Sequence, residues 1–172
     1  MTDRKKQARD KIRLTINDVD QEFEIGDHFY QMTPYETLAK TLRETLGLMG
    51  TKVGCNQGAC GSCAVLMDGI PVLSCMMLTI ECDGKQITTI EGLPDQATGK
   101  LDEIQQAFID HTAFQCGFCT PGIILASRAL LNRNPSPSEA EIKEALSGHY
   151  CRCISHYHVV EALLTVTGKS RK

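Results

Sequence analysis

The grouping of the cysteines is the feature that most constrains how this chain can fold. The chain has 172 residues and nine cysteines, and all but Cys82 fall into two groups. The first group is Cys55, Cys60, Cys63 and Cys75, and the second is Cys116, Cys119, Cys151 and Cys153. The odd count and the missing apolar signal core argue against a secreted disulfide scaffold. In a reducing compartment, grouped cysteines more often bind metal or do redox chemistry, so we expect a cytoplasmic protein of that kind.

The first group has the spacing C-x4-C-x2-C, followed by a distant fourth cysteine. This spacing is typical of plant-type [2Fe–2S] ferredoxins. Three glycines, Gly54, Gly58 and Gly61, let the backbone wrap closely around a cluster. Structural zinc sites usually pair two short C-x2–4-C motifs instead. The first group therefore predicts a [2Fe–2S] cluster on its four cysteines.

The second group combines C-x2-C at residues 116–119 with C-x-C at residues 151–153. Each pair precedes a predicted helix, where free amides and the helix dipole stabilise thiolates. Four thiolates could hold a second cluster or a zinc ion, and the spacing alone leaves both open. A thioredoxin-like dithiol is disfavoured because no βαβ pattern surrounds these cysteines.

The apolar pattern changes near residue 91, from strand-rich to helical. Before it we predict a hairpin over residues 12–25, a helix over 37–47, a hairpin over 64–73 and a strand over 86–90. Residues 91–100 look like a connector. After it we predict helices over residues 101–111, 120–131, 138–147 and 156–167, the third with a Ser138–Glu141 capping box.

The two cysteine groups in this order resemble the iron–sulfur subunit of the xanthine oxidase family of molybdenum hydroxylases. The resemblance covers about residues 11–166. It is carried by residues 42–48, 50–52, 54–63, 115–122, 134–137 and 151–153. It implies an α+β fold with a ferredoxin-type β-grasp domain over residues 11–90, the connector over 91–100, and a four-helix [2Fe–2S] domain over 101–168.

The same resemblance implies cofactors and partners. The chain would hold two [2Fe–2S] clusters, the second on Cys116, Cys119, Cys151 and Cys153. A large partner subunit would bind molybdopterin and a medium subunit would bind FAD, in a heterotrimer or its dimer. Electrons would pass from molybdopterin through the second cluster, then the first, to FAD or another acceptor. Gln115 and Cys153 would approach the pterin, and no residue of this chain would be catalytic.

Two other functions stay open on the sequence. One is a free-standing two-cluster ferredoxin-like carrier, and the other is a zinc-stapled binding module. The formal net charge of −3 predicts no nucleic-acid partner, and no apolar stretch is long enough to predict a membrane span.

Two residues need separate interpretation. Relatives commonly follow Cys-Arg-Cys with Thr-Gly-Tyr, whereas residues 154–156 here are Ile-Ser-His. His156 could be a titratable group or a ligand beside the cofactor. We favour a residue that packs or caps at a helix start, because four cysteine ligands are already present. For Cys82 we predict an ordinary core position.

Overall fold

A mixed β-sheet forms the first half of the molecule in the computed structural model, which describes residues 11–28 and 31–169. Five strands in these residues pair in the order β2-β1-β5-β3-β4. Their bounds are β1 Lys11–Ile16, β2 Val19–Glu24, β3 Ala64–Met67, β4 Ile70–Leu73 and β5 Gln86–Thr88. β1 runs parallel to β5, and the other pairs are antiparallel.

Two tight turns build the antiparallel hairpins. Asn17 and Asp18 join β1 to β2 with φ of 49° and 64°, and Asp68 and Gly69 join β3 to β4 with φ of 50° and 78°. Positive φ at both central residues gives the turn whose twist matches that of the flanking strands. Both predicted hairpins are therefore confirmed.

Helices dominate the second half of the chain. The α-helices are α1 Leu38–Lys40, α2 Glu103–Asp110, α3 Thr120–Arg133, α4 Glu139–Ala145 and α5 His156–Val166. A π-helical turn covers Thr41–Thr45, and 3-10 turns cover Ser74–Met76, Thr79–Cys82 and Ile90–Gly92. The sheet together with these helices confirms the α+β class. No helix in the described residues is long and apolar enough to cross a membrane.

The buried apolar residues form two main clusters. One lies between the sheet and α1 and is drawn from residues between Ile12 and Ile87. The other lies among α2, α3, α4 and α5 and is drawn from residues between Ile104 and Leu164. Cys82 is fully buried in the first cluster, which confirms its predicted core position.

The predicted helix over residues 37–47 is present as an uninterrupted helical run over residues 38–45, but it is not α-helical throughout. Only Leu38–Lys40 is α-helical, and the following turn is π-helical, with the Leu46 amide bonded to the Thr41 carbonyl at 3.0 Å. The Thr41 hydroxyl bonds the Glu36 carboxylate at 2.9 Å and the Thr79 hydroxyl at 2.8 Å. A buried polar network thus fixes this turn, and leucine spacing cannot reveal such a network.

Three other element ends also differ from the prediction. α2 begins at Glu103, not at residue 101, because Asp102 caps it by accepting the Ile104 amide at 2.9 Å. α3 has Cys119 as its N-cap instead of Thr120. β5 stops at Thr88, not at residue 90, and the next amide donates to the Asn17 side chain at 2.8 Å.

Candidate metal centres

The first cysteine group meets beside α1. Residues 54–63 form a loop leading into β3, and Cys75 lies in the 3-10 turn that follows β4. The thiols meet in two pairs, Cys55 with Cys60 and Cys63 with Cys75. Cys63 and Cys75 are buried, whereas Cys55 and Cys60 are half-buried. The group therefore has an inner pair and an outer pair of sulfurs.

Cys55 and Cys63 differ in how readily they form thiolates. Backbone amides of Gln57 and Ala59, the latter 3.2 Å from Cys55 Sγ, lower the pKa of Cys55 to about 7. Burial raises the pKa of Cys63 to about 11. A bound metal holds a coordinating thiol deprotonated. The Cys55 thiol is thus the more readily ionised of the two, and the Cys63 thiol would ionise on binding metal.

Positive φ lets the first loop wrap tightly. Gly58 and Gly61 have φ of 72° and 75°, a region that residues with a Cβ rarely adopt. A Cβ on Gly58 would also lie 3.0 Å from Met76 Cγ. Gly58 and Gly61 thus allow the close wrapping that was predicted for the glycines of this loop.

The second cysteine group also forms two pairs. Cys116 Sγ lies 3.6 Å from Cys153 Sγ, and the Cys119 thiol interacts with that of Cys151. Cys116 and Cys153 are exposed, Cys119 is buried and Cys151 is half-buried. Cys119 caps α3, and Cys151 and Cys153 lie just before α5. The C-x2-C motif and the C-x-C motif thus each precede a helix, as predicted.

Burial, amide hydrogen bonds and a neighbouring thiol shift the pKa values of Cys119, Cys151 and Cys153. Burial raises the pKa of Cys119 to about 12. Burial acts in the same direction on Cys151, but the Ile154 amide, 3.3 Å from its sulfur, and further hydrogen bonds lower its pKa overall. The Cys116 thiol raises the pKa of Cys153.

The arrangement of the thiols fits one of the possible metal groups. A tetrahedral zinc site needs four ligands around one point. Across residues 11–28 and 31–169, no three His, Cys, Asp or Glu side chains converge as a single-ion site. A [2Fe–2S] cluster instead takes four thiolates, two for each iron. Two all-sulfur sets, each split into pairs with amides directed at sulfur, fit two such clusters.

Known protein families match almost the whole chain. Residues 5–114 match the family described as "2Fe-2S iron-sulfur cluster binding domain", and residues 89–164 match "[2Fe-2S] binding domain". The chain is 48% identical over 134 residues to the nicotine 6-hydroxylase small subunit of Paenarthrobacter nicotinovorans, covering 78% of this chain and 79% of that protein. It is 42% identical over 133 residues to the xanthine dehydrogenase iron-sulfur-binding subunit of Escherichia coli O157:H7, covering 76% and 82%.

The chain belongs to the small iron–sulfur subunits of the molybdenum hydroxylase family.

A solved structure agrees with this assignment. Quinoline 2-oxidoreductase from Pseudomonas putida 86 contains a chain that matches with a TM-score of 0.83 and 41% identity, covering 92% of this chain and 93% of that one. The predicted family and the [2Fe–2S] cofactors are confirmed, and they displace the zinc-stapled module as a description of the chain.

The second cysteine group of this small subunit opens onto the surface. Gln115 is exposed beside Cys116, and Phe118 is 45% exposed. Tyr150, next to Cys151, is 69% exposed. Cys116 and Cys153 therefore lie at an exposed edge of the molecule.

His156 is the first residue of α5 and is exposed. Ser155 caps α5, because its hydroxyl accepts a hydrogen bond from the Tyr157 amide at 3.2 Å. The structure thus places His156 at the helix start, as favoured from the sequence, but gives the capping to its neighbour.

The sequence did not reveal the supporting roles of two residues near the cysteine loops. Arg43 donates to the Thr51 carbonyl at 2.5 Å and to the Met49 carbonyl at 3.3 Å, which braces the segment before the first loop. His149 packs between the two cysteine groups. Neither role has a local sequence signal, because both residues act through contacts that depend on the fold.

Proposed function

We propose that this chain conducts electrons from a molybdopterin centre on a large partner subunit, through two [2Fe–2S] clusters, to FAD on a medium subunit. The second cluster receives the electrons, and the first passes them on. The exposed Cys116–Cys153 pair supports this order, because it lets a cofactor on a partner come close to the second cluster. The half-buried Cys55–Cys60 pair offers a second outlet at the first cluster.

The proposal assigns each iron its own pair of cysteines. In the first cluster, Cys55 and Cys60 bind one iron, and Cys63 and Cys75 bind the other. In the second cluster the pairs are Cys116 with Cys153, and Cys119 with Cys151. The observation behind this assignment is that the thiols of each pair interact with one another. The clusters supply one-electron redox chemistry, and the chain supplies ligands, amides and insulation from water.

The domain division belongs to the same proposal. A ferredoxin-type β-grasp domain over residues 11–90 holds the first cluster, residues 91–100 connect, and a four-helix domain over 101–168 holds the second. Support comes from the two separate apolar clusters, one ending at Ile87 and the other beginning at Ile104.

The exposed edge at Cys116 and Cys153 supports the proposed partner subunits. We propose that Gln115 and Cys153 face the pterin across the interface with the large subunit, in a cytoplasmic heterotrimer or its dimer. The names of the relatives support an assembly, since they describe small or iron-sulfur-binding subunits. A free-standing carrier would instead leave this edge in water.

Replacing single cysteines tests the ligand assignment. Cys63→Ser should remove the first cluster, and Cys119→Ser should remove the second, each lowering iron by about half. Cys82→Ser is the matched control, because Cys82 is equally buried but belongs to neither group. Iron analysis and electron paramagnetic resonance (EPR) of the natively purified complex measure the result. Full iron in Cys63→Ser, or loss of iron in Cys82→Ser, would contradict the assignment.

A further inference from the structure

Gly61, in the first cysteine loop, is enclosed by two segments of the helical half. A Cβ on Gly61 would lie 2.6 Å from His149 Cδ2 and 2.8 Å from the Gly148 carbonyl oxygen. On the other side, a Cβ on Gly122 in α3 would overlap the Gly61 carbonyl oxygen. The first loop is therefore held between the start of α3 and the segment that precedes Cys151.

A backbone hydrogen bond joins the two cysteine groups at the same place. The Tyr150 amide donates to the Cys60 carbonyl at 3.0 Å. Tyr150 directly precedes Cys151, so one hydrogen bond and one residue separate a ligand of the first cluster from a ligand of the second. The position of the His149 segment is therefore linked to the positions of both groups.

The imidazole of His149 packs against Gly61, at the place where the two cysteine groups approach each other. Neither ring nitrogen has a hydrogen-bond partner in the described residues, although both are buried. No set of three potential metal ligands forms around it in that part of the chain. Within the described residues the ring therefore makes no hydrogen bond, and it lies against Gly61.

We infer that His149 is a positioning residue whose ring sets the separation of the two [2Fe–2S] clusters. This inference rests on the proposed ligation by Cys60 and Cys151. The ring holds the first loop at a fixed distance from the second, so the electronic contact between the clusters depends on its volume. Because close packing transmits local changes of volume, removing the ring should let the two loops move relative to each other.

The magnetic interaction between the two reduced clusters tests this inference. It falls with the inverse cube of their separation, and it appears as splitting of the EPR signals. The natively purified complex is reduced with dithionite and compared with His149→Ala and His149→Phe. We expect His149→Ala to change the splitting while keeping full iron. We expect a much smaller change in His149→Phe, because phenylalanine fills the junction with a somewhat larger aromatic ring that lacks the nitrogens. His111→Ala, at the far end of α2, is the control and should match the unaltered protein.

Three results would overturn the inference. Unchanged splitting in His149→Ala would show that the ring does not set the separation. A change of splitting in His149→Phe as large as that in His149→Ala, at full iron, would assign the role to the nitrogens. Loss of a cluster in His149→Ala would assign His149 to cluster assembly. Failure of the proposed ligation would look different, because the unaltered protein would then lack two distinct [2Fe–2S] signals.

Discussion

Replacement of Gly122 by alanine sets two opposing effects against each other. Gly122 is buried in the first turn of α3, and it is not among the glycines with positive φ. In an unobstructed helix, Gly→Ala would stabilise by about 1 kcal/mol. Here the new methyl group would overlap the Gly61 carbonyl oxygen and lie 3.3 Å from its carbonyl carbon. These atoms belong to the backbone, so a side-chain rotation cannot relieve the overlap.

The overlap should outweigh the gain in helix propensity. Overpacking a close-packed site costs about 1–3 kcal/mol, and we take the upper end because the obstacle is backbone. Subtracting about 1 kcal/mol for propensity leaves a net destabilisation of about 2 kcal/mol. At about 2–4 °C per kcal/mol for a chain of this size, Tm should fall by about 4–8 °C.

Thermal unfolding followed by circular dichroism measures this change in the cluster-loaded protein. Gly148→Ala is the control, because a Cβ there meets nothing within 4 Å and Gly148 has no positive φ. We expect its Tm to match that of the unaltered protein. A Gly122→Ala protein as stable as the unaltered one, or more stable, would refute the close approach of α3 to the first cysteine loop.

Three other changes give separate tests. Thr41→Val removes the hydroxyl that donates to the buried Glu36 carboxylate, and it should destabilise by about 1–3 kcal/mol in urea unfolding; an unchanged midpoint would contradict a role for this network. Gln115→Ala should slow reduction of the clusters by substrate in the assembled enzyme without removing iron, and unchanged turnover would count against its place at the pterin. Hydrogen bonds from the Ser138 backbone amide and, to a smaller extent, from its hydroxyl lower the pKa of Glu141 from 4.5. The ionised Glu141 carboxylate therefore stabilises α4 fully above pH 4.5, and this stabilisation is lost as the pH falls through the lowered pKa. Ser138→Ala should raise the pKa of Glu141 in an NMR titration, and an unshifted titration would contradict the capping box.

Features with short sequence signatures could be predicted correctly. Ser138 and Glu141, three residues apart, form the predicted capping box at α4. Asn17-Asp18 and Asp68-Gly69 form the predicted turns. The cysteine spacing led to the family because the pattern of ligands in a loop is itself local. The residues that carry each of these signatures are neighbours in the chain, although the cysteine motifs come together only in the fold.

Features that depend on distant contacts could not be predicted. The π-helical turn after α1 depends on Thr41 meeting Thr79, which follows it by 38 residues. The contact of His149 with Gly61 exists only because the helical half packs against the first cysteine loop. The parallel pairing of β1 with β5 likewise joins the two ends of the first half. Apolar periodicity shows which face of an element is buried, but not what it is buried against.

Metal and labile-sulfide analysis of the natively purified complex tests the central claim most directly. Two [2Fe–2S] clusters predict about four iron and about four labile sulfide per copy of this chain, with molybdenum on a larger copurifying chain. EPR of the reduced complex should then show two distinct [2Fe–2S] signals. Zinc in place of iron, without labile sulfide, would contradict the account and leave a chain that cannot carry electrons.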